Sequence, residues 1–253
     1  MKQIAITYRP LKRLKFTRVA KGTHPETWKE VTPVQLIAIA CLYKQSINEV
    51  DFIHQITGLK KRIIRKLDNY QRFKIMQLVD FVNTPEPYNR FIIEKIKTNK
   101  ALCLAPKPKL KGMPFGQFIF ADSYFGNYQD TSEPEELNNF ISALYLPAGK
   151  PFIEDFIGQL SPEMAKLSPV TREAIFINYL LVKEWLAVVY PLVFAKPDPD
   201  APPRKHDPMA WVKTFENLVG DDLPNKDKYE QLPVHDVFRY MTRKIKENAK
   251  RKQ

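Results

Sequence analysis

The sequence predicts a mainly α-helical protein: a multi-helix globular bundle with a short N-terminal β-hairpin or extended arm. Three observations lead there. Glycine is scarce, at 8 of 253 residues, while proline is abundant, at 21, which suits helices joined by stiff extended corners and suits tight β-turns poorly. A polar cap followed by proline, the signature of a helix start, recurs at Thr32-Pro33, Ser161-Pro162 and Ser168-Pro169. Apolar residues recur at helical rather than strand spacing over most of the chain.

In chain order, residues 3–20 alternate in places (QIAITYR, then LKRLKFTRVA), as a short strand pair or an extended basic arm would. His24-Pro25-Glu26 begins a turn. Val34 to Tyr43 is strongly apolar and predicts a buried helix capped by Thr32. Further helices are predicted over Ile47–Thr57, stopped by Gly58, over Leu59–Leu67, and over about Asn69–Val82 with Phe73, Met76, Leu78 and Phe81 on its stripe. Arg90 to Ile96 reads as a strand or a short helix, and APKPKLKGMP, alternating proline and lysine, as an extended connector. FGQFIFADSYFGNY alternates poorly as a strand. As a helix it sets Phe118, Asp122 and Phe125 on one side. Helices follow over Glu133–Tyr145, over Val170–Phe194 as the central member of the core, over Pro208–Val219 and over Val234–Lys250. The expected division is a basic arm or hairpin at 1–24, a main helical domain at 25–195, a Pro-rich strap at 196–208 (KPDPDAPPRKHDP) and a C-terminal helical unit at 209–253.

The net charge of +12 is uneven. Residues 1–111 hold 23 Lys and Arg against 8 Asp and Glu; residues 112–195 hold 4 against 10; residues 196–253 hold 13 against 10. A basic front of that kind attracts nucleic acid or an acidic protein surface, and the acidic middle of a second copy could meet it head to tail. The longest apolar run, Ile175 to Phe194, is broken by Asn178, Lys183 and Glu184, which predicts a buried helix and no membrane span. No apolar segment of a signal peptide opens the chain, so a cytoplasmic protein is expected. Cys41 and Cys103, set among apolar residues, predict two buried reduced thiols.

The stretch IHQITGLKKRIIRKLDNYQRFK, Ile53 to Lys74, can be laid on a helix-turn-helix with Gly58 as the turn glycine. The apolar positions Ile53, Leu59, Ile64 and Leu67 then fit. His54 breaks the pattern where close helix approach wants a small residue. Lys60, Lys61, Arg62, Arg65 and Lys66 would face outward, suited to phosphates, with arginine able to pair with guanine. No Asn, Gln or Ser stands among them, so any DNA affinity would be mainly salt-dependent backbone affinity. The plainer use of this pattern is a solvated or protein-binding helix face. The four histidines have no metal-ligand spacing, and no GxSxG, P-loop or GxGxxG occurs. The residues therefore predict no enzyme, metal or cofactor.

Several segments in order carry a family resemblance: WKEVTPVQLIAIACLY, YQRFKIMQLVDFV, LKGMPFGQFIFADSYFGNY, ELNNFISALYLP, a long apolar helix and LPVHDVFRYMTRKI. Over most of residues 25–250 the chain resembles phage and prophage proteins, frequent in Bacteroidetes, that are encoded among tail genes and are similar to tail assembly chaperones. The resemblance implies a non-enzymatic adaptor, working in the host cytoplasm, that coats the long hydrophobic helix of a tape-measure protein. Helix-in-groove binding would need an apolar groove with a charged rim. The candidate rim is Lys60, Lys61, Arg62, Arg65 and Lys66 with Arg72 and Lys74.

Overall fold

A computed structural model of the chain describes residues 1–10, 16–195, 207 and 209–251. It is mainly helical and divides into two compact units, Met1–Tyr88 and Asn89–Gln253.

In the first unit, strands β1 (Lys2–Tyr8) and β2 (Arg18–His24) form an antiparallel hairpin, with Ile4 opposite Gly22 and Ile6 opposite Ala20. The alternation in QIAITY turns Ile4, Ile6 and Tyr8 to one side. There they pack on a core of Ala20, Ile53, Leu59, Ile64, Leu67 and Ile75. Helix α1 (Pro33–Tyr43) starts at a capping box between Thr32 and Gln35, and the Gln35 amide also donates to the Ile56 carbonyl at 2.9 Å. Helix α2 (Glu49–Thr57) ends where Gly58 takes φ 70°, a left-handed conformation that glycine adopts without a Cβ penalty. Helix α3 (Lys61–Ile64) is one turn long, and helix α4 (Asn69–Gln77) starts at a second capping box, Asp68 with Gln71. Two predictions need correction here. The expected helix Leu59–Leu67 shrinks to its middle four residues. The stripe assigned to the fourth helix is wrong in part, because Ile75, Val79 and Val82 are buried while Phe73 and Leu78 are exposed.

In the second unit, residues 90–93 form neither helix nor strand, and the expected element over Arg90 to Ile96 reduces to a short strand that starts at Lys95. The Asn178 side chain accepts from the Ile92 N–H and donates to the Arg90 carbonyl, and the Tyr145 hydroxyl donates to the Ile93 carbonyl at 2.6 Å. Strands β3 (Lys95–Lys97), β4 (Leu102–Leu104) and β5 (Leu146–Pro147) follow in a small antiparallel sheet that the sequence did not announce. Helix α5 (Phe115–Thr131) is the predicted aromatic helix, with Phe118, Asp122 and Phe125 all buried. Helices α6 (Pro134–Leu144), α7 (Asp155–Met164) and α8 (Pro169–Val189) follow. Ser168 caps α8 as expected, its side chain accepting from the Thr171 N–H at 3.1 Å. Ser161-Pro162 starts nothing: Pro162 lies inside α7, two residues before its end, where it forgoes the hydrogen bond that an N–H would give to the Gly158 carbonyl. Helices α9 (Ala210–Val219), α10 (Lys226–Glu230) and α11 (Val234–Arg251) complete the described residues. The compact units divide the chain at 88/89, a different division from the expected boundaries at 24/25 and 195/196. The hairpin's apolar side is used up against α2, α3 and α4, and Trp211, Phe215 and Phe238 of the C-terminal helices meet Phe115 edge-on or tilted at 6.0–6.4 Å. The strap at 196–208 lies outside the described residues, apart from Asp207.

Each unit has one point of little tolerance. A Cβ on Gly22 would sit 2.5 Å from the Thr57 carbonyl oxygen and 3.2 Å from Leu59, so Gly22→Ala forces β2 away from the end of α2. We expect it to destabilise the first unit by roughly 1–3 kcal/mol in urea denaturation. In the second unit, Asp122 is 6% exposed at its side chain and Lys183 26%. Asp122→Ala leaves the ammonium without its carboxylate and should cost about 3–5 kcal/mol in the same assay, whereas Asp122→Asn, which keeps an acceptor, costs less.

Candidate binding surfaces

Asp122 is the natural first candidate for chemistry, a carboxylate buried among aromatic rings. Both of its oxygens are engaged. Lys183 donates to them at 2.7 and 2.8 Å, the Tyr179 hydroxyl at 3.0 Å and the Trp211 indole N–H at 2.7 Å. Lys183 also stands 5.0 Å from the centre of the Phe194 ring. Burial and the Asp122 charge push the Tyr179 hydroxyl well above its usual range, so it stays a donor. The arrangement is a closed structural knot that joins α5, α8 and α9. Among the described residues no group of three His, Cys, Asp or Glu side chains could hold a metal ion, and no helix is long and apolar enough to cross a membrane. Cys103 is buried and Cys41 half-buried, and both are free thiols.

The seven cations singled out in the sequence lie in the first unit, but in different settings. Lys61 pairs with Asp51 at 2.8 Å and Arg72 with Glu49 at 3.3 Å, so both brace α2 from below. Lys74 donates to Gln77 at 3.1 Å and stands 5.7 Å from the Tyr70 ring centre. The Lys66 ammonium donates to the Pro10 carbonyl. Lys60, Arg62 and Arg65 are exposed and have no ion pair among the described residues. Ile53, Leu59, Ile64 and Leu67 are buried, as the helix-turn-helix pattern requires. His54, the residue that broke that pattern, donates from Nδ1 to the Leu59 carbonyl at 2.7 Å and so fastens the turn instead of obstructing it. With α3 a single turn, about 6 Å of helix, little of it could enter a major groove.

Two grooves stand out, and sequence reading foresaw neither location. One, of about 740 Å³, lies in the first unit between the end of β1 and the α3–α4 corner, lined by Tyr8, Arg9, Arg65, Lys66, Asp68 and Gln71 among others. Arg9 was hidden because it belongs to the hairpin. The other, of about 400 Å³, lies in the second unit. The β4–β5 register sets Leu104 opposite Leu146, so their side chains share one face and form an apolar wall with Phe152. Lys107, Lys111 and Lys150 stand along it, and among the described residues no acid lines it. Gln117 closes the floor, donating to the Ala143 and Leu144 carbonyls at the end of α6 at 3.0 and 3.3 Å. The APKPKLKGMP connector carried the signal for this rim, since its alternation of proline and lysine cannot bury its cations in a helix.

No protein-family model matches the chain, and no curated protein or solved structure matches it.

The Lys61–Asp51 pair makes a local prediction. The hydrogen bond from the Lys61 ammonium, with smaller contributions from the Asn48 amide and Arg65, holds the Asp51 carboxyl below its ordinary range. Its stabilising contribution is therefore present above the unfolded-state pKa and fades as pH falls through the lowered folded-state value. In Lys61→Met the Asp51 carboxyl should titrate at a higher pH, which an NMR pH titration of the Asp51 side chain reads directly.

Proposed function

We propose that this chain is a non-enzymatic binding protein that holds an apolar, acid-flanked segment of another protein in the groove between Leu104 and Phe152. The single observation that carries this reading is the composition of that groove: an apolar wall, three lysines and, among the described residues, no acid. Leu104 is 41% exposed and its neighbour Leu102 45%, so apolar surface stands ready for a partner. The lysines would steer acidic side chains and set register, while the wall supplies the buried apolar area. The phage-tail resemblance supplies a setting. An amphipathic helix of a tape-measure-like protein, sheltered until assembly, has the chemistry that this groove suits, and the acidic residues 112–195 of a second copy are the competing occupant. The closed knot around Asp122 supports a binding role over a catalytic one, because its carboxylate has no open coordination left for a substrate.

The experiment uses two synthetic amphipathic helical peptides with the same leucine stripe, one flanked by glutamate and one by lysine. The glutamate peptide should bind, more weakly as salt rises, and the lysine peptide should not. Leu104→Asp should abolish binding with the thermal unfolding curve unchanged. Equal binding of both peptides, or an unaffected Leu104→Asp variant, removes the groove from the reading. Concentration-dependent sedimentation that Leu104→Asp also abolishes would replace the foreign partner by a second copy.

A further inference from the structure

We propose that the first unit carries a second, independent site: the groove between the end of β1 and the α3–α4 corner grips the sugar–phosphate backbone of a single-stranded nucleic acid. The groove is built and held open before any ligand arrives. The Gln71 amide donates across it to the Thr7 carbonyl at 2.9 Å, and the Lys66 ammonium reaches the Pro10 carbonyl. Its two walls are therefore fixed relative to one another, and Arg9 and Arg65 line it from opposite sides.

The electrostatics favour an anion. Residues 1–88 hold 16 Lys and Arg against 7 Asp and Glu. Several of those cations are spent on internal pairs, but Arg9 and Arg65 have no ion pair among the described residues, nor do the nearby exposed Lys60 and Arg62. Asp68 is the one acid in the lining, and its Oδ1 already accepts the Gln71 backbone N–H at 2.7 Å, at the positive end of α4. Two uncommitted guanidinium groups facing a groove suit phosphate oxygens, which they bind in bidentate fashion.

The aromatic side chains favour unpaired bases. Tyr8 lines the groove. On α4, Tyr70 is 68% exposed and Phe73 55%, one turn apart on the outward stripe, with the Lys74 ammonium near the Tyr70 ring. Tyr8 stands in the groove itself, and Tyr70 and Phe73 are exposed on the helix that supplies Gln71 to it; exposed rings with cations near them are what successive bases stack on. A duplex would bury its base faces and leave those rings unused, and a one-turn α3 offers little to read a major groove. An acidic protein segment is the weaker fit, because most of the residues lining the groove are polar or charged and only Tyr8, Pro10 and Leu67 could anchor a partner's apolar side chains.

The test is fluorescence anisotropy of the full chain with a labelled oligothymidylate, against a duplex of equal length and against polyglutamate as competitor. We expect binding that weakens steeply with salt. The Arg9→Gln/Arg65→Gln double variant should bind roughly tenfold or more weakly and lose about 1.4 from the log–log salt slope, at about 0.7 per phosphate contact on a single strand. Tyr70→Ala/Phe73→Ala should weaken binding at an unchanged slope. Lys97→Gln, on the exposed face of β3 in the other unit, should bind as the parent does. No binding at low salt, or a double variant that binds as the parent does, overturns the proposal. So does tighter binding of the duplex, or displacement by polyglutamate at equal charge. The Leu104→Asp variant should bind the oligonucleotide normally, so this site and the apolar groove can fail separately.

Discussion

The second unit depends on how one buried charge is neutralised. Asp122 sits in the middle of α5, on the side that packs against the core, where an unpaired carboxylate would cost several kcal/mol in desolvation (of order 20 kcal/mol in the idealised limit). Three donors from two other helices converge on it, Lys183 and Tyr179 from α8 and Trp211 from α9. Those donors are directional, so the carboxylate does more than neutralise a charge: it sets the rotation of α8 and α9 about α5. The rings of Phe118, Phe194, Trp211 and Phe238 pack against one another beside this pair, edge to face or tilted, with centroids 5.0–6.1 Å apart. One turn earlier on α8, Asn178 applies the same logic to backbone, binding the peptide groups of Arg90 and Ile92 in a stretch that has no strand partner of its own. That stretch leads into β3 and β4, so the position of Leu104 in the apolar groove traces back to a polar side chain buried in α8.

The same reasoning separates the chain's cations by what they are free to do. A lysine or arginine on a surface adds little to stability, about 0–1 kcal/mol per exposed pair, so its use must be read from its partner. Lys61 and Arg72 answer to Asp51 and Glu49 on α2 and work within the first unit. Lys107, Lys111 and Lys150 stand on a groove with no acid in its lining among the described residues, and Arg9 and Arg65 on a groove with one acid already engaged by a backbone N–H. By segment, all of these except Lys150 belong to one basic front. Partner by partner they fall on two grooves of different chemistry, one with an apolar wall and ammonium groups and one with guanidinium groups.

Much of the helical frame was legible because its signals are local. Thr32-Pro33 and Ser168-Pro169 name their own helix starts, and the period of FGQFIFADSYFGNY alone puts Asp122 on the buried side of α5. What the sequence concealed was nonlocal. Asp122 and Lys183 are 61 residues apart, and in the sequence Lys183 served only as a break in an apolar run. That break is where the partner was. Helix α3 was overread because Ile63, Ile64 and Leu67 have helical spacing, yet Leu67 reaches the core from beyond the helix's end, and Asp68 immediately caps α4. The stripe of α4 was misjudged because Phe73 looks like core by its type; the hairpin already fills the side that Ile75 occupies, and Phe73 is left outside. Strands of three residues, such as β3 and β4, are too short for a period to show.

The exposure of Tyr70 and Phe73 then acquires a physical meaning that a misassigned core residue would not have. Two large rings in water cost free energy unless something covers them, and in the first unit they stand on the helix that also supplies Gln71 to the basic groove. The exposed Leu102 and Leu104 stand in the same relation to the lysines of the second groove. In each unit, uncovered apolar surface and unpaired positive charge occur together, which is the combination expected where a partner brings both an apolar face and negative charge. On the two proposals above, one chain would hold two ligands at once, and binding at either surface would raise the local concentration of that ligand for the other, with no need for a new contact between them.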